Sequence, residues 1–228
     1  MADSVAEQIA ALKDEDWGVR EEAAASLASY RDPRAVVPLV QALRDADRAV
    51  RQAAIGALTA IGEPSVPALG ECLNDSNLTV QESAASILAT IADGRVLAPL
   101  LSALTSQDWI VRMHAATGLG RIGDPQAVLP MMPLLQDKVK AVRVEAAAGL
   151  AHIGEAAVPS LLAALQQKEW LVKLHAIEAL GKIKSKASVE PLLSMLFNDP
   201  DTAVRTDAAR SLGEIGDPRA VEFLLMAL

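Results

Sequence analysis

A Val followed by a basic or amide residue recurs seven times at nearly fixed spacing along this chain. The pairs are Val19-Arg20, Val50-Arg51, Val80-Gln81, Val111-Arg112, Val142-Arg143, Val172-Lys173 and Val204-Arg205, with steps of 31, 30, 31, 31, 30 and 32 residues. Three positions beyond each second member stands an Ala, and four beyond that a Leu. A period of this length marks a stacked-repeat architecture, in which each unit buries its apolar face only against its neighbours. Such a chain grows by adding units, so its 228 residues read as one continuous array.

The composition suits that reading. Apolar residues make up 51% of the chain and aromatics only 3%, which leaves Ala, Leu, Val and Ile to build a core of closely approaching helices. Twenty-one Lys and Arg stand against 29 Asp and Glu, a net charge of −8. That balance argues against nucleic acid as a partner, because neutralising phosphates takes a basic surface. A single cysteine, Cys72, has no partner for an internal disulfide, and the chain does not open on a basic stretch followed by a long apolar run; the expected location is cytoplasmic. No stretch of about 18 uninterrupted apolar residues is present, so no membrane span is expected.

Within one unit the pattern resolves into two helices. From Asp47 to Leu73, an Asp at the N-cap position opens a helix with Val50, Ala54, Ala57, Leu58 and Ile61 at helical spacing. Gly62 ends it, Glu63-Pro64 turns the chain, and a second helix carries Val66, Leu69 and Leu73 on one face. Pro67 falls in the first turn of that helix, where a missing amide hydrogen costs little; Pro38, Pro99, Pro130, Pro159 and Pro191 recur in kind. Helix stops return as Gly123-Asp124-Pro125, Gly154-Glu155 and Gly216-Asp217-Pro218, altered to Ala92-Asp93-Gly94 in one unit.

These motifs resemble the HEAT-repeat superfamily, and most closely the short HEAT-like repeats of phycobilisome lyases, over essentially the whole chain. The fold this implies is all-α: a right-handed α-solenoid of seven two-helix repeats, approximately 14–44, 45–74, 75–105, 106–136, 137–166, 167–198 and 199–228, behind a capping helix within 1–13. The resemblance also implies a charge ladder. An acid stands six residues before the basic position in Asp14/Arg20, Asp45/Arg51, Asp137/Arg143 and Asp199/Arg205, and an Arg fork can bridge an acid of its own unit and one of the next. At Asp75/Gln81, Ser106/Arg112 and Gln167/Lys173 the ladder is expected to weaken.

The columns between the core positions carry the candidate site. Two positions before the Val stand Trp17, Arg48, Leu78, Trp109, Lys140, Trp170 and Thr202, a column that holds all three tryptophans. With the first helix of each repeat lining the concave surface, as in similar arrays, Trp109, Ile110, Met113, Val144, Trp170, Leu171 and Leu174 form an apolar stretch across repeats 4 to 6. Exposed Trp and Met are typical binding anchors, which points to a protein partner. Arg121 and Lys182, with His152 between them, form a basic row beside it.

A further column reads Glu22, Ala53, Ser83, His114, Glu145, His175 and Asp207. Its His114, Glu145 and His175 invite a metal reading, since hydroxylases of the HEAT-like type use His-Glu pairs. Here no His-Glu dipeptide exists, and two repeats of 8–10 Å helix spacing set the imidazoles too far apart for one ion. The expectation is no metal, no cofactor and no catalytic residue, with Glu145 hydrogen-bonded to one of the two histidines. Bilin handling, as in lyase subunits, is the alternative function that the resemblance implies. At the far end, Phe223, Leu224, Met226 and Leu228 offer an apolar helix for end-to-end self-association.

Overall fold

The computed structural model describes residues 3–226, and no strand occurs among them. After α1 (Ser4–Ala11) come seven pairs, each a 14-residue helix followed by a shorter one. They are α2 (Trp17–Tyr30) with α3 (Val36–Ala42), α4 (Arg48–Ile61) with α5 (Val66–Cys72), and α6 (Leu78–Ile91) with α7 (Leu97–Ala103). Next come α8 (Trp109–Ile122) with α9 (Val128–Met131), α10 (Lys140–Ile153) with α11 (Val158–Ala164), α12 (Trp170–Ile183) with α13 (Val189–Asn198), and α14 (Thr202–Ile215) with α15 (Val221–Met226).

The punctuation read from the sequence sets these boundaries. Asp16, Asp47, Asn77 and Asp201 hold extended backbone at the N-cap, and each side chain accepts a hydrogen bond from the N–H two residues on. Each of the seven short helices is entered through a 3₁₀ turn. Long helices end at a left-handed residue: Gly62, Gly123, Gly154 and Gly216 take φ of 68 to 80°, while Arg31, Ala92 and Lys184 take it without glycine's freedom. The stretch Lys140–Ala164 is apolar and long enough by composition to cross a membrane, but Gly154 at φ +80° breaks it into α10 and α11.

The chain divides into two compact units, Met1–Gly118 and Leu119–Leu228. In the first, α1 lies on α2, and α2, α4 and α6 follow side by side with α3, α5 and α7 behind them. In the second, α10, α12 and α14 make the same succession, backed by α11 and α13. The repeating Val, Ala and Leu are the core: all seven Ala and all seven Leu are buried, and so are six Val, whereas Val19, which leads the first repeat, is 39% exposed. Each unit is an all-α stack of the solenoid type.

The charge ladder exists, with a geometry different from the one expected. Arg20 Nε and Nη2 donate to the Asp45 carboxylate of the next repeat at 2.7 and 2.9 Å. In its own repeat, however, Nη1 reaches the backbone carbonyls of Asp14 and Glu15 and not the Asp14 carboxylate. That carboxylate is already turned back to accept from the Asp16 N–H. The same carbonyl contact recurs for Arg51, Arg112, Arg143 and Arg205. At Asp75 the rung comes from Arg44, and Gln81 donates to the Asp75 carbonyl. At the junction expected to be weak around Lys173, the rung is intact: Lys173 Nζ lies 2.6 Å from the buried Asp199 carboxylate.

Candidate functional site

The tryptophan column occupies one structural position. Trp17, Trp109 and Trp170 are each the first residue of a long helix, one beyond the cap, where a side chain stands clear of the preceding turn. Their exposures are 54, 39 and 48%. Rings folded down over a neighbouring repeat would be covered far more.

The candidate residues divide between the units. On the first, Trp109 is exposed and Ile110, Met113 and His114 behind it are half-buried. On the second, Trp170 and Leu171 open α12, while Val144 on α10 and Leu174 on α12 hold equivalent places on adjacent helices. Leu171, Val144, Leu174 and Glu145 are half-buried, and Arg121 and Lys182 are exposed. Trp109 on the first unit and Trp170 on the second thus each stand beside aliphatic side chains with part of their surface still wet.

His175 departs from the expectation of a surface residue, being 5% exposed. Arg143 Nε donates to its Nε2 at 3.3 Å, and its Nδ1 faces Glu178 Oε2 at 3.3 Å. Arg143 and Glu178 thus hold the two ring nitrogens of His175. The cause lies in the ladder. Gln167 replaces the acid that Arg143 would otherwise meet in the next repeat, and the guanidinium turns to the imidazole instead. With Nε2 accepting from Arg143, the ring proton sits on Nδ1 and points at Glu178. The hydrogen bond from His175 holds the Glu178 carboxyl down at about 2 against its own burial, and Lys182 at 2.8 Å adds to the effect. Lys182 thus belongs in part to this line, although its side chain is exposed.

Burial pushes the Cys72 thiol up, as suits a small core side chain. Among the described residues no three His, Cys, Asp or Glu side chains gather where an ion would sit. At the other end of the second unit, Phe223 and Met226 are exposed and Leu224 is half-buried, while Leu228 lies outside the described residues. Leu196, Phe197, Val221, Leu224 and Leu225 line a groove of about 720 Å³ there, with Arg205 at its side. Reading the columns missed two things: Glu178 as the partner of His175, and the exposed lysines Lys138 and Lys168 before α10 and α12. The joint change of Gln167 and His175 within one repeat was the available signal for the first.

Stacked helix pairs, a one-sided ladder and exposed helix starts define a repeat protein, and the chain belongs to the HEAT-repeat family, whose pattern matches residues 5–89, 36–105, 66–151, 97–170 and 158–228. Among curated proteins it is similar to the phycocyanobilin lyase subunit alpha of Picosynechococcus sp., 39% identical over 77 residues, a match that spans 28% of that relative's length. Among solved structures it resembles the complex of CpcE and CpcF of phycocyanin lyase from Nostoc sp. PCC7120, at 24% identity and a TM-score of 0.52 over 98% of this chain and 94% of that one. It also resembles yeast importin-beta (Kap95p), at 16% identity and a TM-score of 0.68 over 99% of this chain and 38% of that one. At these identities the two structures speak for the fold alone.

Proposed function

We propose that this chain is a non-enzymatic protein-binding scaffold that takes its partner on the starts of its long helices. The observation that carries the reading is the placement of all three tryptophans at one structural position with 39 to 54% of each exposed. On the second unit Trp170, Leu171, Leu174 and Val144 serve as the anchor, with Lys182 and Arg121 as its charged margin. On the first, Trp109, Ile110 and Met113 serve in the same way beside His114. Large rings with part of their surface wet gain the most from being covered by a partner. A relative similar over part of the chain is itself called a subunit, a name for a protein that works in an assembly. The test is capture from lysate by wild type and by Trp109→Glu with Trp170→Glu; capture left unchanged by the double variant would sink the proposal.

The 77-residue similarity to a phycocyanobilin lyase subunit favours one second reading, pigment handling. It predicts a shifted visible absorbance when the protein is incubated with a bilin, lost in Trp170→Ala. The apolar groove along α15 supports a third role for this molecule, self-association through Phe223, Leu224 and Met226. Phe223 already packs edge-on against Phe197 at 6.4 Å, so Leu225→Glu is the cleaner disruption. Sedimentation of that variant as a smaller species than wild type at matched concentration would bear this out.

A further inference from the structure

The starts of two neighbouring long helices in the second unit differ from the others in charge and in capping. The three residues leading into α2, α4 and α14 are Glu15-Asp16-Trp17, Ala46-Asp47-Arg48 and Pro200-Asp201-Thr202, and the middle Asp of each caps its helix. Leading into α10 and α12 they are Lys138-Val139-Lys140 and Lys168-Glu169-Trp170, and neither Val139 nor Glu169 makes a side-chain cap. One capping Asp is replaced by Val139 and the other by Glu169, which makes no cap, and three lysines are gained, all at adjacent helix starts.

These lysines differ from the other basic residues around them. Lys173 is taken by Asp199 at 2.6 Å and Lys182 by Glu178 at 2.8 Å. Lys138, Lys140 and Lys168 are exposed, and no salt bridge engages them among the described residues. The free N–H groups at the two helix starts add partial positive charge on the same edge. Trp170 is the first residue of α12 and Lys140 the equivalent residue of α10, so the two positions lie on neighbouring helices whose axes pack roughly 8–10 Å apart.

We propose that this edge binds an acidic segment of a partner protein, with carboxylates meeting Lys138, Lys140 and Lys168 and an apolar side chain lying on Trp170. The inference deepens the scaffold reading and rests on it, because it names the chemistry of the partner. A chain of net charge −8 disfavours a long polyanion. Three lysines beside Glu169 suit a short run of carboxylates better than a phosphate backbone, whose binding grows with every further phosphate neutralised.

The experiment uses the whole chain and a fluorescein-labelled dodecapeptide of glutamates around a central Leu-Leu, followed by anisotropy at low salt and at 0.15 M salt. Reversal of the three lysines (K138E, K140E, K168E) is expected to weaken binding about tenfold or more, as is replacing the glutamates with glutamines. Trp170→Ala should weaken it by a smaller factor, and Arg48→Glu, at the same column of the first unit, should leave it within about twofold. All five positions are exposed, so circular-dichroism melting should confirm that the variants stay folded. The proposal is overturned if the lysine reversal has no effect, if the glutamine peptide binds as well, if the glutamate peptide does not bind, or if a thymidine oligonucleotide binds more tightly. Sensitivity to Trp170 without sensitivity to the lysines would overturn this inference alone. Sensitivity to the lysines without any to Trp170 would count against the apolar anchor of the scaffold reading.

Discussion

The two units are built from one repeat and carry different electrostatics. Met1–Gly118 holds 9 Lys and Arg against 16 Asp and Glu, while Leu119–Leu228 holds 12 against 13, so nearly all of the net negative charge lies in the first. The first unit caps α2, α4 and α6 with Asp or Asn and joins its repeats by Arg20–Asp45 and Arg44–Asp75. The second leaves α10 and α12 uncapped and uses Arg143–His175 and Lys173–Asp199. The Val, Ala and Leu columns hardly vary between them. Apolar packing therefore sets the stack, and the polar columns are free to change as long as no buried charge is left alone.

The sharpest way to break the parity of the units is through their glycines. A Cβ added at Gly120 would stand 2.5 Å from the Gly149 Cα and 3.2 Å from its carbonyl oxygen, inside the backbone of α10, where nothing can rotate away. Gly120→Ala is expected to cost roughly 3 kcal/mol, read as an earlier denaturant midpoint. An unchanged midpoint would mean that α8 and α10 do not approach so closely.

Acid should act next. The Glu178 carboxyl is held at about 2 by His175 and then by Lys182, well below its ordinary 4.5. A depressed carboxyl contributes its stabilisation above the unfolded value and loses it as pH falls, so the loss runs from about pH 4.5 down to about 2. Its full extent is on the order of 3 kcal/mol. His175→Leu removes the main cause and should flatten the stability of the protein over that window. An identical acid profile in the variant would show that Glu178 is not held by the imidazole.

The rungs themselves should be unequal. Lys173→Met strands the Asp199 carboxylate, which burial pushes up and Lys173 brings back below its ordinary value, and about 2 kcal/mol should be lost at neutral pH. Arg44, nearly half exposed in its pair with Asp75, should tolerate Arg44→Ala with a loss of only about 0.5 kcal/mol. Equal losses would argue that burial does not govern the rungs.

Much of this was legible in the sequence, and the reasons for the rest are physical. Asp47 and Gly62 mark the ends of α4 because a cap acceptor and a left-handed residue are demanded by the helix itself, whatever packs on it. The burial of Val50, Ala54 and Leu58 follows from their helical spacing. The polar columns obey no such local rule. Asp14 was expected to meet Arg20 directly, but its oxygen already accepts the Asp16 N–H, and the sequence shows which groups exist, not which lone pairs are taken. The column of Ser83 and His175 lies between the core columns, which alone would turn it to solvent. Ser83 and His175 are buried, and Ala53, Glu145 and Asp207 half-buried, so the column lies toward the adjacent long helix. Glu178, three residues on from His175, stands outside every column that the repeat defines.

The smallest predicted effect has the opposite sign. Gly56 lies inside α4 and is exposed, with no atom within 4 Å of where a Cβ would stand. Glycine there buries nothing that alanine would disturb, and it leaves the unfolded chain with conformations that alanine does not have. Gly56→Ala should therefore stabilise the protein by about 0.5–1 kcal/mol, read as a later denaturant midpoint with unchanged slope. Set beside Gly120→Ala, it is the same added methyl on the same kind of helix. If Gly56→Ala instead destabilised the protein, α4 would have a neighbour that its open face does not show, and the contrast between the two glycines would lose its steric basis.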